Sequence, residues 1–453
     1  MLYTRSNHIV TNALATALLS TTAFAQIEYT GMEFTNPSPA FLITDFYGND
    51  IELENGLLAV ASSNDDTVAQ ASGAVYIYDA ETGAYLRSLS GSNVSGNDTF
   101  GRSIDMHDNL MVVGASQDTF GATFRAGSAY FINPSTGAQL GYIGASDAAS
   151  FDVFGASVAL NSVITLVGAP NTFNTDSSRG AVYAFLNSTR KEILKFTAAP
   201  IRGDIRFGWS LAINDQVFVV GAPGNSDPET SFPGEAYVFD INTGIPFQLL
   251  TADTPDPASQ FGWEVAIDGN TVVIGAPTDD AAGTGAGAVY VFNALTGDQL
   301  TRITSPNPAP EEQFGYSVDI KDNIIAIGAN QSNSTALGSG AVYVYDTTTF
   351  ELIAEVSPDS LAEGSAFGSS VAIDGESLAV GAQTRITISP TNRGSAYLLH
   401  QRCLADLNED GSADFLDISQ FINTRYDWND DGFFDFLDIS GFVQSYTTGC
   451  PEL

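Results

Sequence analysis

A Phe-Gly pair returns every 53 or 54 residues, at Phe100-Gly101, Phe154-Gly155, Phe207-Gly208, Phe261-Gly262, Phe314-Gly315 and Phe367-Gly368. A fixed period of this length means that one small structural unit is stacked on copies of itself. About twelve residues after each pair an apolar run ends in Gly-Ala, at Gly114-Ala115, Gly168-Ala169, Gly221-Ala222, Gly275-Ala276, Gly328-Ala329 and Gly381-Ala382, three of them followed by Pro. A Gly-x-x-Tyr strand then carries Tyr76, Tyr130, Tyr183, Tyr237, Tyr290, Tyr343 or Tyr397. Phe46-Tyr47-Gly48 opens a divergent first copy, whose Gly-Ala position is read as Val60-Ala61, so seven copies are counted.

Each copy reads as four strands. In the fifth, Gly262 to Ile267 alternates, Asp268-Gly269-Asn270 turns, and Thr271 to Ala276 is continuously apolar, as expected of a strand buried on both faces. Ala288 to Asn293 follows, and Ala294-Leu295-Thr296-Gly297 turns into an outer strand, Asp298 to Ile303. Seven four-stranded units around an axis make an all-β seven-bladed propeller. A linear solenoid would need polar caps, and neither end supplies one. The last copy lacks an outer strand after Tyr397 to His400, whereas Tyr29 to Thr35 precedes the first copy where such a strand belongs. The N-terminal strand is therefore expected to complete the last blade and remove two open edges.

The Phe-Gly and Gly-Ala-Pro signatures resemble the FG-GAP repeats of the integrin α-subunit N-terminal propeller, over about residues 29 to 400. That resemblance implies a ligand-binding or adhesion role. Many integrin repeats hold calcium between their first and second strands. Here tight turns such as Asp108-Asn109, Asn214-Asp215-Gln216 and Asp268-Gly269-Asn270 occupy that place, so propeller calcium is not expected. The long connections should share one face: Ser62 to Ser72, Asn171 to Arg179, Gly224 to Pro233, Thr278 to Ala286, Gln383 to Arg393 and the segments before each Phe-Gly pair. Binding residues concentrate on long loops over a rigid scaffold. A protein or glycan ligand is expected there, although any single loop can simply tolerate insertion.

The C-terminal segment carries different chemistry. Asp406, Asn408, Asp410, Ser412, Asp414 and Asp417 stand at positions 1, 3, 5, 7, 9 and 12 of a loop with Gly411 at position 6. Asp427, Asn429, Asp431, Phe433, Asp435 and Asp438 repeat the pattern around Gly432. This is EF-hand spacing: hard oxygens surround Ca²⁺, and position 7 gives its backbone carbonyl, so Phe433 fits. Two Ca²⁺ ions are expected. Residues 403–453 hold 11 acidic residues and one basic. Without metal, such crowded like charge around a small core should leave the module largely unfolded.

The chain's two cysteines, Cys403 and Cys450, bracket the loops. In an exported protein they read as one disulfide, worth roughly 4 kcal/mol in the chain-entropy model, with two free thiols as the alternative. The duplicated loop-helix unit with Asp at position 12 resembles a type I dockerin, and the framing cysteines with Gly449 resemble its GC-type variant. That resemblance implies a small all-α double EF-hand-like module at 403–453 that anchors to a cohesin-like partner. It also places Phe415, Leu416, Phe436 and Leu437 at the cohesin contact, although Ile418, Phe421 and Ile422 on the same helix make core packing the favoured use for them. Docking of the module on its own propeller is a further alternative.

Residues 1–25 read as a secretory signal peptide. Arg5 and His8 precede an apolar stretch, Ile9 to Leu19, and Ala23-Phe24-Ala25 is a cleavage motif, which places the cut between Ala25 and Gln26. The propeller then spans 26–400, and no transmembrane segment is expected. With 16 Lys+Arg against 53 Asp+Glu, the chain lacks the basic footprint that nucleic acid or an anionic membrane requires. Secretion or surface display fits this acidity. Catalysis finds little support: His107 and His400 have no nucleophile or acid at motif spacing, and no G-x-S-x-G or HExxH occurs. No catalytic residue is assigned. Three roles remain: a non-enzymatic adhesion or ligand-binding protein, an extracellular carbohydrate-active enzyme using paired carboxylates, and a structural component of an envelope assembly.

Overall fold

Each apolar run of the repeat becomes a strand sealed from water on both sides. The computed structural model describes residues 27–38, 45–173, 179–198, 205–224, 232–254, 256, 258–383 and 394–403. The signal-peptide motif, both calcium loops with the apolar residues Phe415, Leu416, Phe436 and Leu437 inside them, and Cys450 lie outside them, as does the side chain of Cys403.

The chain opens with β1 (Ile27–Thr35). Blade 1 is β2 (Tyr47–Glu54), β3 (Leu57–Ser62), β4 (Ala74–Asp79) and β5 (Tyr85–Leu89). Blade 2 is β6 (Phe100–His107), β7 (Leu110–Ala115), β8 (Ser128–Ile132) and β9 (Gln139–Ile143). Blade 3 is β10 (Ser157–Leu160), β11 (Ile164–Phe173), β12 (Arg179–Leu186) and β13 (Lys191–Phe196). Blade 4 is β14 (Leu211–Ile213), β15 (Val217–Ala222), β16 (Glu235–Asp240) and β17 (Pro246–Leu250). Blade 5 is β18 (Val265–Asp268), β19 (Thr271–Ala276), β20 (Ala288–Asn293) and β21 (Gln299–Ile303). Blade 6 is β22 (Phe314–Lys321), β23 (Ile324–Ala329), β24 (Ala341–Asp346) and β25 (Leu352–Val356). Blade 7 is β26 (Phe367–Asp374), β27 (Ser377–Ala382) and β28 (Ser395–Cys403).

All seven sheets are four-stranded and antiparallel, and the last runs β1-β28-β27-β26, so the N-terminal strand does close the ring. β1 pairs with β28 from Ile27↔Cys403 to Thr35↔Ser395. β28 thus runs past residue 400, where the sequence places the end of the propeller, to Cys403. The first strands touch in circular order, with β2 meeting both β6 and β26.

The signature residues explain the joints. The Phe of each Phe-Gly pair is sealed, with Phe100, Phe207, Phe261, Phe314 and Phe367 all at 0% exposure. Each such burial stabilises by about 1.5–3 kcal/mol. Each ring meets the signature tyrosine of its own blade at 5.2–5.6 Å between centroids, from Phe100–Tyr130 and Phe367–Tyr397 to Tyr47–Tyr76 in the divergent blade. The residue before the pair adopts positive φ in every blade, as at Thr99 (58°) and Val153 (61°), and so does the glycine after it.

The other glycines serve close approach. A Cβ on Gly127 would meet the Phe154 carbonyl oxygen at 2.0 Å, where the third strand of blade 2 bridges blade 3. A Cβ on Gly114 would meet the Gly155 oxygen of blade 3 at 2.0 Å, so the Gly-Ala glycine docks on the Phe-Gly glycine of the next blade.

Three expectations need correction. In blade 1 the Gly-Ala position is Ala61-Ser62 and not Val60-Ala61, because Ala61 faces Val75 and Ser62 faces Ala74 as Gly114 and Ala115 face Ala129 and Ser128. The first strand of blade 5 begins at Val265, and Phe261 makes only a single parallel bridge to Gly234. Its fourth strand starts at Gln299, one residue later than the alternation suggests.

Candidate functional site

The seven first strands surround an axial channel enclosing about 420 Å³, within the range of roughly 300–1,000 Å³ typical of ligand pockets. The turns joining first to second strands are short, as between His107 of β6 and Leu110 of β7, whereas the second-to-third connections are long, as from Ala276 of β19 to Ala288 of β20. The Phe-Gly ends of the first strands therefore frame the channel mouth on the long-loop face.

The residue after each Phe-Gly or Tyr-Gly pair lines this mouth. Blades 4, 5 and 6 place Trp209, Trp263 and Tyr316 there, half-buried and in sequence around the rim, with centroids 5.0 Å and 5.5 Å apart. Arg206 covers the Trp209 ring at 5.4 Å. Blades 1, 2 and 3 place Asn49, Arg102 and Ala156 at the same level.

One residue deeper, five blades have serine, and Ser103 of blade 2 accepts the Val158 N–H at 3.1 Å. Ser157, Ser210, Ser317 and Ser370 donate to the carbonyls of Gly208, Gly262, Gly368 and Gly48 in the adjoining blade, at 2.8–3.2 Å. Blades 1 and 5 carry Asp50 and Glu264 instead. Burial pushes Asp50 up to about 6, and burial with the nearby Asp50 charge pushes Glu264 up to about 8.

Deeper again, blades 6, 1 and 2 supply Asp319, Glu52 and Asp105, while blades 3, 4 and 5 supply Ala159, Ala212 and Ala266. Blade 7, between blades 6 and 1, has Ala372 at this position, so acids occupy three of the four blades on one side of the ring and methyl groups the three blades opposite. Burial raises Asp319 to about 6 and holds Glu52 and Asp105 well above the usual carboxylate range, with the like charges of Asp105, Asp50 and Asp319 adding to the effect on Glu52.

Asp50, Asp105 and Asp319 each accept a backbone N–H from the first strand of the following blade, from Ile104 (2.8 Å), Leu160 (2.6 Å) and Ile373 (2.7 Å). They staple the ring as well as line it. Glu52 has no hydrogen-bond partner among the described residues and faces the channel without a structural task. At the far end, Lys321 pairs with Asp374 at 2.6 Å, and His107 lies 3.9 Å from Glu54.

The repeat pattern alone does not point to these residues, because its signature positions are structural. What marks them is the departure from the repeat at the first, second and fourth residues after each Phe-Gly pair. The blades are therefore specialised, contrary to the uniformity their signatures suggest. The second histidine, His400, contacts Ser377 Oγ at 2.9 Å across β27 and β28, away from the channel lining. Among the described residues no three His, Cys, Asp or Glu side chains converge closely enough to hold a metal ion, and no helix is long and apolar enough to cross a membrane.

Acids of the long-loop face prove largely structural. The hydroxyls of Tyr76, Tyr130 and Tyr290 donate to Asp65 (2.6 Å), Asp118 (2.9 Å) and Asp279 (2.7 Å), and Tyr183, Tyr237 and Tyr343 find Asp147, Glu235 and Glu312. A buried phenol needs such an acceptor.

Comparison with curated proteins finds no match. The FG-GAP repeat family model matches six stretches, residues 86–132, 138–185, 191–239, 247–292, 298–345 and 351–399. Each stretch takes the outer strand of one blade and three strands of the next, and the divergent first copy is unmatched. Since these stretches cover more than half of the sequence, the chain belongs to the FG-GAP repeat family.

Proposed function

We propose that this protein is a secreted or surface-anchored, non-enzymatic binding protein. Its integrin-α-like propeller recognises a ligand at the channel mouth on the long-loop face. Its C-terminal module, ordered by two Ca²⁺ ions, attaches it to a cohesin-type partner. The observation that carries the recognition role is the one-sided channel lining, since evenly repeated blades need no aromatic arc facing Glu52, Asp105 and Asp319. The reading of the module rests on the complete ligand sets from Asp406 to Asp417 and from Asp427 to Asp438.

A second reading, an extracellular carbohydrate-active enzyme, is favoured by Glu264 and Asp50, whose raised pKa values suit proton transfer. Two assays separate the two. An array of glycans and peptides probed with full-length protein should show capture that Trp263→Ala abolishes, and polysaccharide incubation should release no reducing sugar. Sustained sugar release would replace the binding role with the enzymatic one.

A further inference from the structure

We propose that the channel takes a linear aliphatic amine carrying two or more ammonium groups. The proposal rests on the reading of the mouth as the recognition site and names the chemistry of what enters it. Three features of the lining lead to this class.

The first is charge. Glu52, Asp105, Asp319, Asp50 and Glu264 line one passage, where burial first and neighbouring like charges second penalise the ionised forms of Glu52 and Glu264. Only cations relieve such mutual repulsion, and a neutral sugar would leave it intact. Asp50, Asp105 and Asp319 already accept hydrogen bonds from the backbone, but Glu52 has none among the described residues, so a half-buried acceptor stands open to a donor from the channel.

The second is separation. The carboxylates are not gathered into a metal shell. A single compact ion cannot reach all of them, whereas a chain of spaced ammonium groups can.

The third is the opposite wall. Ala159, Ala212 and Ala266 face the acids with methyl groups and leave room for an alkyl chain. Such a chain would lie as lysine stems lie on apolar surface, with its charged end in polar surroundings. At the mouth, Trp263 and its neighbour Tyr316 offer π faces to a second ammonium, in line with the Arg206 guanidinium that already lies over Trp209. The ligand would thus run along the axis, with one ammonium among the deep carboxylates and the other beneath the aromatic arc.

The test is calorimetric titration of spermidine into the full-length protein, with excess Ca²⁺ present so that the acidic C-terminal segment is not a competing sink. Saturable one-to-one binding is expected, at least tenfold tighter than that of propylamine, which has one ammonium. Glu52→Gln keeps the side chain's shape and should weaken binding at least tenfold, as should Trp263→Leu. Asp298→Asn, an exposed outer site, should change nothing, and melting curves check that each variant is folded. Binding that all three variants leave unchanged, or that magnesium at equal charge concentration abolishes, would reduce the effect to counterion condensation and overturn the proposal. Absence of spermidine binding would overturn it too. If capture on the array still needed Trp263, the mouth would remain the recognition site and only the ligand class would be wrong.

Discussion

At the scale of single residues, the signature tyrosine and its carboxylate show how a very acidic chain spends its acids. Tyr290 is sealed against Phe261 and donates to Asp279, itself 1% exposed. Tyr290→Phe leaves that carboxylate one donor short and should destabilise the propeller by about 1–3 kcal/mol, measured by chemical denaturation. Removing the hydroxyl of exposed Tyr142 should cost far less. The channel acids behave oppositely. A carboxyl whose folded pKa exceeds its unfolded value binds protons preferentially in the native state, so stability falls as pH rises through that interval. For Asp50 and Asp319 the interval runs from their ordinary value to about 6, and for Glu264 to about 8. The melting temperature should therefore rise as pH is lowered from 8 towards 5. Glu52→Gln should flatten that slope and raise stability at pH 8 by about 1 kcal/mol or more, because it removes a desolvated charge among like charges. A melting temperature that falls across this window would contradict the assignment.

At the scale of elements, the clasp and the blade joints decide stability. A Cβ on Gly31 would meet the Leu398 carbonyl oxygen at 1.9 Å, inside the β1–β28 ladder. Gly31→Ala should therefore cost about 2–4 kcal/mol through forced backbone displacement. Gly56, at φ +74° with nothing within 4 Å, offers a comparison in which alanine costs only the left-handed backbone, about 1–2 kcal/mol. Paired denaturation curves measure both. The clasp was legible in the sequence because an unmatched outer strand at one end answers a missing one at the other. The positions of most strands were legible too, since an apolar run such as Thr271 to Ala276 has no other use at that length. The start of β18 was not, because alternation continues through Gly262 to Glu264, whereas Gly262 and Trp263 both donate to the one carbonyl of Gly275 and so break the one-to-one pairing of the ladder. The first copy's register was misplaced by one residue because Ala61 stands where other blades have glycine.

At the scale of the whole molecule, repeat and function are written at different positions. The repeated residues hold the ring, and the channel is built where Asn49, Arg102, Trp209, Trp263, Asp50, Glu264 and Glu52 break the pattern. A search for what recurs finds the scaffold and overlooks the site, whose charges converge only once the ring is closed. Calcium belongs to this scale as well. Full-length protein stripped with EDTA should lose the melting transition of the C-terminal module, which added Ca²⁺ should restore, with the propeller transition unmoved. Asp406→Ala combined with Asp427→Ala should abolish calcium uptake in calorimetry, and unchanged uptake would remove both sites. The most direct measurement of the central claim, that the specialised blades form the recognition site, is a crystal structure of full-length protein with spermidine. The account predicts a ligand along the axis between Glu52 and Trp263, in contact with the carboxylates of Asp105 and Asp319. An empty channel with spermidine held elsewhere on the molecule would contradict it.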